Sequence, residues 1–128
     1  MSDIIDKNNK KRILIIDDEE TIRSYLQRML EEDGYLVTQS WGGNDGLAKL
    51  SAEVFDIVMT DMVMPDRNGI QVVISVREKK WPVKIIVMIG AAKSEYMLRI
   101  AKFYKADAVI QKPLIRDEVL SVVGKVLN

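Results

Sequence analysis

The feature that most constrains this chain is an alternation: short β-branched runs take turns with segments whose apolar residues recur at helical spacing, from Arg12 onwards. Ile13-Leu14-Ile15-Ile16 opens it. An unbroken apolar run of that kind suits a strand buried on both faces, as in a parallel sheet. It stops at Asp17-Asp18-Glu19-Glu20, and from Thr21 the period changes: Ile22, Leu26, Met29 and Leu30 share a stripe, and Asp33-Gly34 closes it where a helix C-cap favours glycine. The pairing then recurs. Leu36 to Ser40 reads as strand and Asp45 to Glu53 as helix, Ile57 to Thr60 as strand and Ile70 to Lys80 as helix, and Lys84 to Ile89 as strand and Glu95 to Tyr104 as helix. Ala108 to Gln111 is a short strand, and Arg116 to Leu127 a closing helix with Val119, Val122, Val123 and Val126 on one face. Five strands alternating with five helices predict an α/β fold, a parallel sheet covered by helices on both faces because right-handed crossovers carry the helices outside it.

The 128 residues, 48% of them hydrophobic, suffice for one core. Residues 1–11 are polar and read as a flexible lead-in, so the domain is expected to span 12–128, with no visible output module. Lys plus Arg (19) balances Asp plus Glu (19), so no net field draws nucleic acid or an anionic membrane. The chain has no cysteine and no histidine, which excludes disulfides, thiolate zinc sites and the usual general base. Any chemistry must run on carboxylates, lysines, hydroxyls and backbone. No apolar run approaches the ~20 residues of a membrane span, and the N-terminus lacks a signal-peptide pattern. A cytoplasmic location is expected.

In an open parallel sheet the functional crevice lies beyond the carboxyl ends of the strands. The first strand runs into Asp17 and Asp18, the third ends at Asp61, the fourth runs into Gly90-Ala91-Ala92 and the fifth into Lys112-Pro113. Carboxylates converging there repel by ~4 kcal/mol per pair at ~4 Å and an effective dielectric near 20. Lys112 offsets part of that repulsion. A hard divalent cation offsets the rest, and Mg2+ suits an all-oxygen site because it takes one or two carboxylates and bridges phosphate oxygens. Metal, lysine and a nucleophilic aspartate are the parts of a phosphoryl transfer to a carboxylate. A flavin or nucleotide enzyme on a similar sheet is disfavoured, because no Gly-rich phosphate loop follows the first strand.

These strings, Ile-Leu-Ile-Ile-Asp17-Asp18-Glu19, then Asp61-Met-Val-Met64-Pro65-Asp66-Arg-Asn68-Gly69, then Lys112-Pro113, resemble the receiver domains of two-component response regulators. The resemblance covers about Arg12 to Asn128. It implies a flavodoxin-like sheet in the order 2-1-3-4-5, with Asp61 as phosphoacceptor. It further implies Mg2+ on Asp18, Asp17, Asp61 and the backbone carbonyl of Val63, and Lys112 paired with the phosphoryl group ahead of a cis Pro113. The implied donor is the phosphohistidine of a sensor histidine kinase, and the implied target a downstream protein or effector domain.

The chain also departs from the family. Where relatives usually carry Thr or Ser after the fourth strand it has Gly90, followed by Ala91, and where they carry an aromatic in the fifth strand it has Val109. The expectation is that phosphorylation survives while its conformational readout is altered, and a degenerate receiver serving as an unphosphorylated docking scaffold is the competing reading. Val63 and Ala92 have no group to orient a water, which predicts slow dephosphorylation. Tyr96, Ile100 and Phe103 form a stripe distinct from Leu98 and Ala101, which predicts a partner or dimer face along the fourth helix, fifth strand and last helix. Trp41 and Trp81 read as packing aromatics.

Overall fold

The structure, a computed structural model, describes residues 10–64, 69–90 and 94–128. Its elements are β1 (Arg12–Ile16), α1 (Glu20–Glu32), β2 (Leu36–Ser40), α2 (Gly43–Ala52) and β3 (Ile57–Asp61), then α3 (Gly69–Glu78), β4 (Lys84–Ile89), α4 (Ser94–Phe103), β5 (Ala108–Gln111) and α5 (Arg116–Leu127). The five strands form one sheet, all pairs parallel, in the order β2-β1-β3-β4-β5. The chain returns from β1 to an edge and then crosses to the other side of β1. That reversal places the topological switch point at the carboxyl ends of β1 and β3.

The side-chain period of a strand divides the core in two. Leu14, Ile16, Val58, Ile85, Val87 and Ile89 face one side, where Leu50 of α2, Val72, Val73 and Val76 of α3 and Ala101 of α4 cover them. Ile13, Ile15, Ile57, Met59, Ile86, Met88 and Ile110 face the other, under Leu26, Met29 and Leu30 of α1 and Val119 and Val123 of α5. Both faces are therefore dry. This is why the strand sequences run apolar without alternation.

Three helices end in the same way. The backbone N–H of Tyr35 donates to Leu30 O (3.1 Å), that of Trp81 to Val76 O (3.2 Å) and that of Ala106 to Ala101 O (3.0 Å). Each closes a Schellman turn around one left-handed residue: Gly34 (φ 96°), Lys80 (φ 55°) and Lys105 (φ 61°). Only the first is the residue the conformation favours. Trp81 packs on the core as expected, whereas Trp41 is 63% exposed and lies under the Lys49 ammonium, 4.8 Å from the ring centroid. Its place just after β2, beyond the helix-covered sheet, explains the difference.

Candidate functional site

At the switch point Asp17, Asp18 and Asp61 each bring a carboxylate oxygen to within 4.8 Å of the others. Asp17 is fully buried and Asp61 is 8% exposed, while Asp18 faces solvent. Lys112 reaches in from the end of β5, its Nζ 3.2 Å from Asp17 Oδ2 and 3.4 Å from Asp61 Oδ1. The predicted convergence of acids and ammonium is present. The Lys112-Pro113 bond is cis.

Two of the three acids, Asp17 and Asp61, are held by backbone. Asp17 Oδ1 accepts from the Glu19 N–H at 2.9 Å, turning the chain into α1. Asp61 Oδ1 accepts from the Met62 N–H at 2.9 Å as well as from Lys112. Both contacts fall on Oδ1, which leaves Oδ2 without a donor among the described residues and available as a nucleophile. Burial, with Asp17 adding to it, pushes the Asp61 carboxyl up to about 6 against the pull of Lys112. Burial alone would lower the Lys112 ammonium, but Asp61 and Asp17 together outweigh it and hold it above its ordinary range.

Several supporting residues were not legible as such. Arg23 Nη1 donates to the Asp17 carbonyl at 2.8 Å and its Nε to Gln39 Oε1 at 3.0 Å, so α1 fastens the acidic turn to β2. Gly69, which opens α3, does not have a positive φ, and the reason for glycine there is space. A Cβ there would stand 2.1 Å from the Asp61 carbonyl oxygen, and the Gly69 N–H donates to Met62 O at 2.9 Å. Gly46 on α2 has a similar role, since its Cβ would stand 2.3 Å from Ile16 Cδ1, one residue before Asp17. Only the packed distances between elements expose such needs.

The remaining predicted positions separate. Gly90 and Val63 line the cleft above Asp61 with Glu19, Met62 and Met97, and Val109 packs partly buried against the α3 and α4 side of the core. Ala91, Ala92, Pro65, Asp66 and Asn68 lie outside the described residues. Ala101 is buried and Leu98 packs on the core, whereas Tyr96 is 59% and Phe103 77% exposed. Tyr96, Ile100 and Phe103 line a groove with Ile70, Arg99 and Tyr104, so this stripe opens toward α3.

The chain as a whole has counterparts among known proteins. The model of the response regulator receiver domain matches residues 13–124. The chain belongs to the response regulator receiver family. Among curated relatives, this receiver is 34% identical over 125 residues to the transcriptional regulatory protein ResD of Bacillus subtilis, covering 97% of this chain and 51% of that protein. It is 33% identical to DltR of Streptococcus agalactiae, covering 86% of this chain and 49% of the relative. The chain thus spans about half the length of the curated relatives it matches. Among solved structures, a CheY-like receiver domain protein from Methanospirillum hungatei superposes with a TM-score of 0.86 at 30% identity, covering 93% of this chain and 94% of that one. The response regulator TrrA of Thermotoga maritima, solved in complex with Mg2+ and BeF, gives 0.82 at 35% identity, covering 91% and 99%.

The oxygen-only donor set fits the Mg2+ site expected of a receiver. No helix among the described residues is long and apolar enough to cross a membrane.

Proposed function

We propose that residues 12–128 form a switch that takes a phosphoryl group onto Asp61 from the phosphohistidine of a sensor histidine kinase, in the cytoplasm. Asp61 Oδ2 attacks phosphorus, the bond from phosphorus to the donor nitrogen breaks, and Lys112 shifts from bridging the carboxylates to pair with a phosphoryl oxygen. Asp18, assisted by Asp17, Asp61 and the Val63 carbonyl, would hold Mg2+. When bound, the ion neutralises charge shared between carboxylates and phosphoryl oxygens. The likeness to TrrA, whose structure carries Mg2+ and BeF, supports that assignment. The chain is thus a regulatory phosphoacceptor that supplies the groups for its own phosphorylation, rather than an enzyme acting on others.

Val63 is exposed and aliphatic, so it has no hydrogen bond to offer an attacking water, and loss of the phosphoryl group is slow. The phosphorylated state is read by a downstream protein or effector domain at the face carrying Tyr96, Ile100 and Phe103. A dimer through α4, β5 and α5 is a further use of that side, with neither nucleic acid nor membrane as a direct partner.

The observation that carries this reading is the convergence of the Asp17, Asp18 and Asp61 carboxylates beside Lys112. Gly90 and Val109 favour a second reading, a docking scaffold insensitive to phosphorylation. Labelling with a phosphorylated kinase separates the two. Mg2+-dependent incorporation that Asp61→Asn abolishes is expected of the switch, and no incorporation into folded protein is expected of the scaffold.

A further inference from the structure

Gln39 stands where strand alternation would seat an apolar residue. It lies opposite Ile15 in the β1–β2 register and shares its strand face with Val37, which packs on the core under α1. Its amide instead joins a file of polar side chains, Arg23, Gln27 and Glu31, that recur at every fourth position along α1. Arg23 Nε donates to Gln39 Oε1 at 3.0 Å, Gln39 Nε2 donates to Gln27 Oε1, and Gln27 Nε2 donates to Glu31 Oε2 at 3.0 Å. At the inner end Arg23 Nη1 donates to the Asp17 carbonyl at 2.8 Å. The direction of this file is fixed by chemistry, because a guanidinium only donates, a carboxylate only accepts and each amide does both. With Arg23 at one end and exposed Glu31 at the other, a single orientation of the two amides satisfies every contact. Turning either or both sets donor against donor or acceptor against acceptor.

We propose that Gln39 is a positioning residue of the metal site, holding the Arg23 guanidinium on the Asp17 carbonyl while Gln27 and Glu31 lock its amide. The inference rests on the reading of Asp17 and Asp18 as Mg2+ ligands. The Asp17 carbonyl belongs to the planar peptide that leads into Asp18. The N–H of Asp17 is taken by Ser40 O at the end of β2, at 3.1 Å, so Arg23 on the carbonyl secures the other side of the residue. Fixing that oxygen fixes the plane from which Asp18 departs. Asp18 has need of it: its carboxylate faces solvent and takes no hydrogen bond among the described residues, so backbone alone aims it at Asp17 and Asp61. Groups that orient a ligand without touching the ion commonly govern its affinity. Arginine is the residue for this task, since its rigid fork spans two acceptors at once, the Asp17 carbonyl and the Gln39 amide.

Backbone amide NMR of the full chain, titrated with Mg2+, tests the assignment. Gln39→Leu changes no charge, so its effect is not one of field, and it is expected to weaken Mg2+ binding about threefold to tenfold, the worth of one hydrogen bond. In metal-free buffer the Glu19 N–H, which donates to Asp17 Oδ1, is expected to exchange faster in that variant. Arg23→Lys keeps the charge but not the fork and is expected to give a similar loss. On that background Gln39→Leu is expected to add less than about twofold, because the residue it acts through is already gone. Gln27→Leu, on the helix rather than the sheet, keeps the question open should Gln39→Leu not fold, with an expected loss of about twofold. Wild-type Mg2+ affinity in the folded leucine variants, or an equal loss from Gln39→Leu on the wild-type and Arg23→Lys backgrounds, overturns the inference and leaves the acids as metal ligands. No Mg2+-dependent shift of the Asp17, Asp18 or Asp61 amides in folded wild type overturns the metal reading and the inference with it.

Discussion

Asp61 sits where burial and the neighbouring Asp17 both disfavour its charge, and Lys112 offsets only part of the penalty. Its folded pKa, about 6, lies above the ordinary 3.8, so between those values the native state binds the proton more tightly than the unfolded chain does. Stability from this group is therefore full below about pH 4 and is lost as pH rises through 6. In metal-free buffer, Asp61→Asn should gain on wild type as pH rises from 4 to 7, read from urea midpoints at each pH. An offset independent of pH would place the cause elsewhere. Gly69→Ala should cost about 1–3 kcal/mol, because the added methyl meets the backbone carbonyl of Asp61 rather than a flexible side chain. Thermal denaturation measures it, and the loss of Asp61 placement should appear as slower phosphorylation of the folded variant. Asp17, Asp18, Asp61 and Lys112 were legible in the sequence because each follows an apolar strand run. Gly69, Gly46 and Arg23 were not, since their importance lies in distances across elements that no local pattern encodes.

At the scale of elements, α3 and α4 both close on a lysine in the left-handed region, where a Cβ crowds the following carbonyl at a cost of about 1–2 kcal/mol. Lys80→Gly and Lys105→Gly should each raise stability by about 1 kcal/mol, less the backbone entropy glycine adds to the unfolded chain. Chemical denaturation of the single and double variants checks this, with near-additive gains expected because the two caps belong to different helices. The Arg77 guanidinium, which donates to the carbonyls of Tyr104 and Lys105 and pairs with Asp107 at 3.5 Å, would remain in place to hold α4 against α3. Strand positions were legible almost to the residue, since β-branched runs are both the signal and the buried core. Helix ends drifted by one or two residues: α2 starts at Gly43 rather than Asp45 and α3 stops at Glu78 rather than Lys80. The apolar stripe locates a helix but not its last turn, which is decided by cap hydrogen bonds such as Trp81 N–H to Val76 O.

For the molecule as a whole, the site is a place where the sheet gathers charge that it cannot itself neutralise. Mg2+ binding to the native state alone should raise stability by about 2.7 kcal/mol at a hundredfold excess over its dissociation constant. A thermal melt at pH 7 with and without the ion measures that gain, and Asp18→Asn should remove most of it. A melt indifferent to Mg2+ in the wild type would count against the site. The parallel topology has a further result. Asp17 and Lys112 are 95 positions apart, yet their side chains touch, and they do so only because β1, β3 and β5 belong to one completed sheet. If Asp61 is the phosphoacceptor, a chain with its last strand undocked would present it stripped of its counter-cation, and competence to be labelled would double as a check that folding has finished.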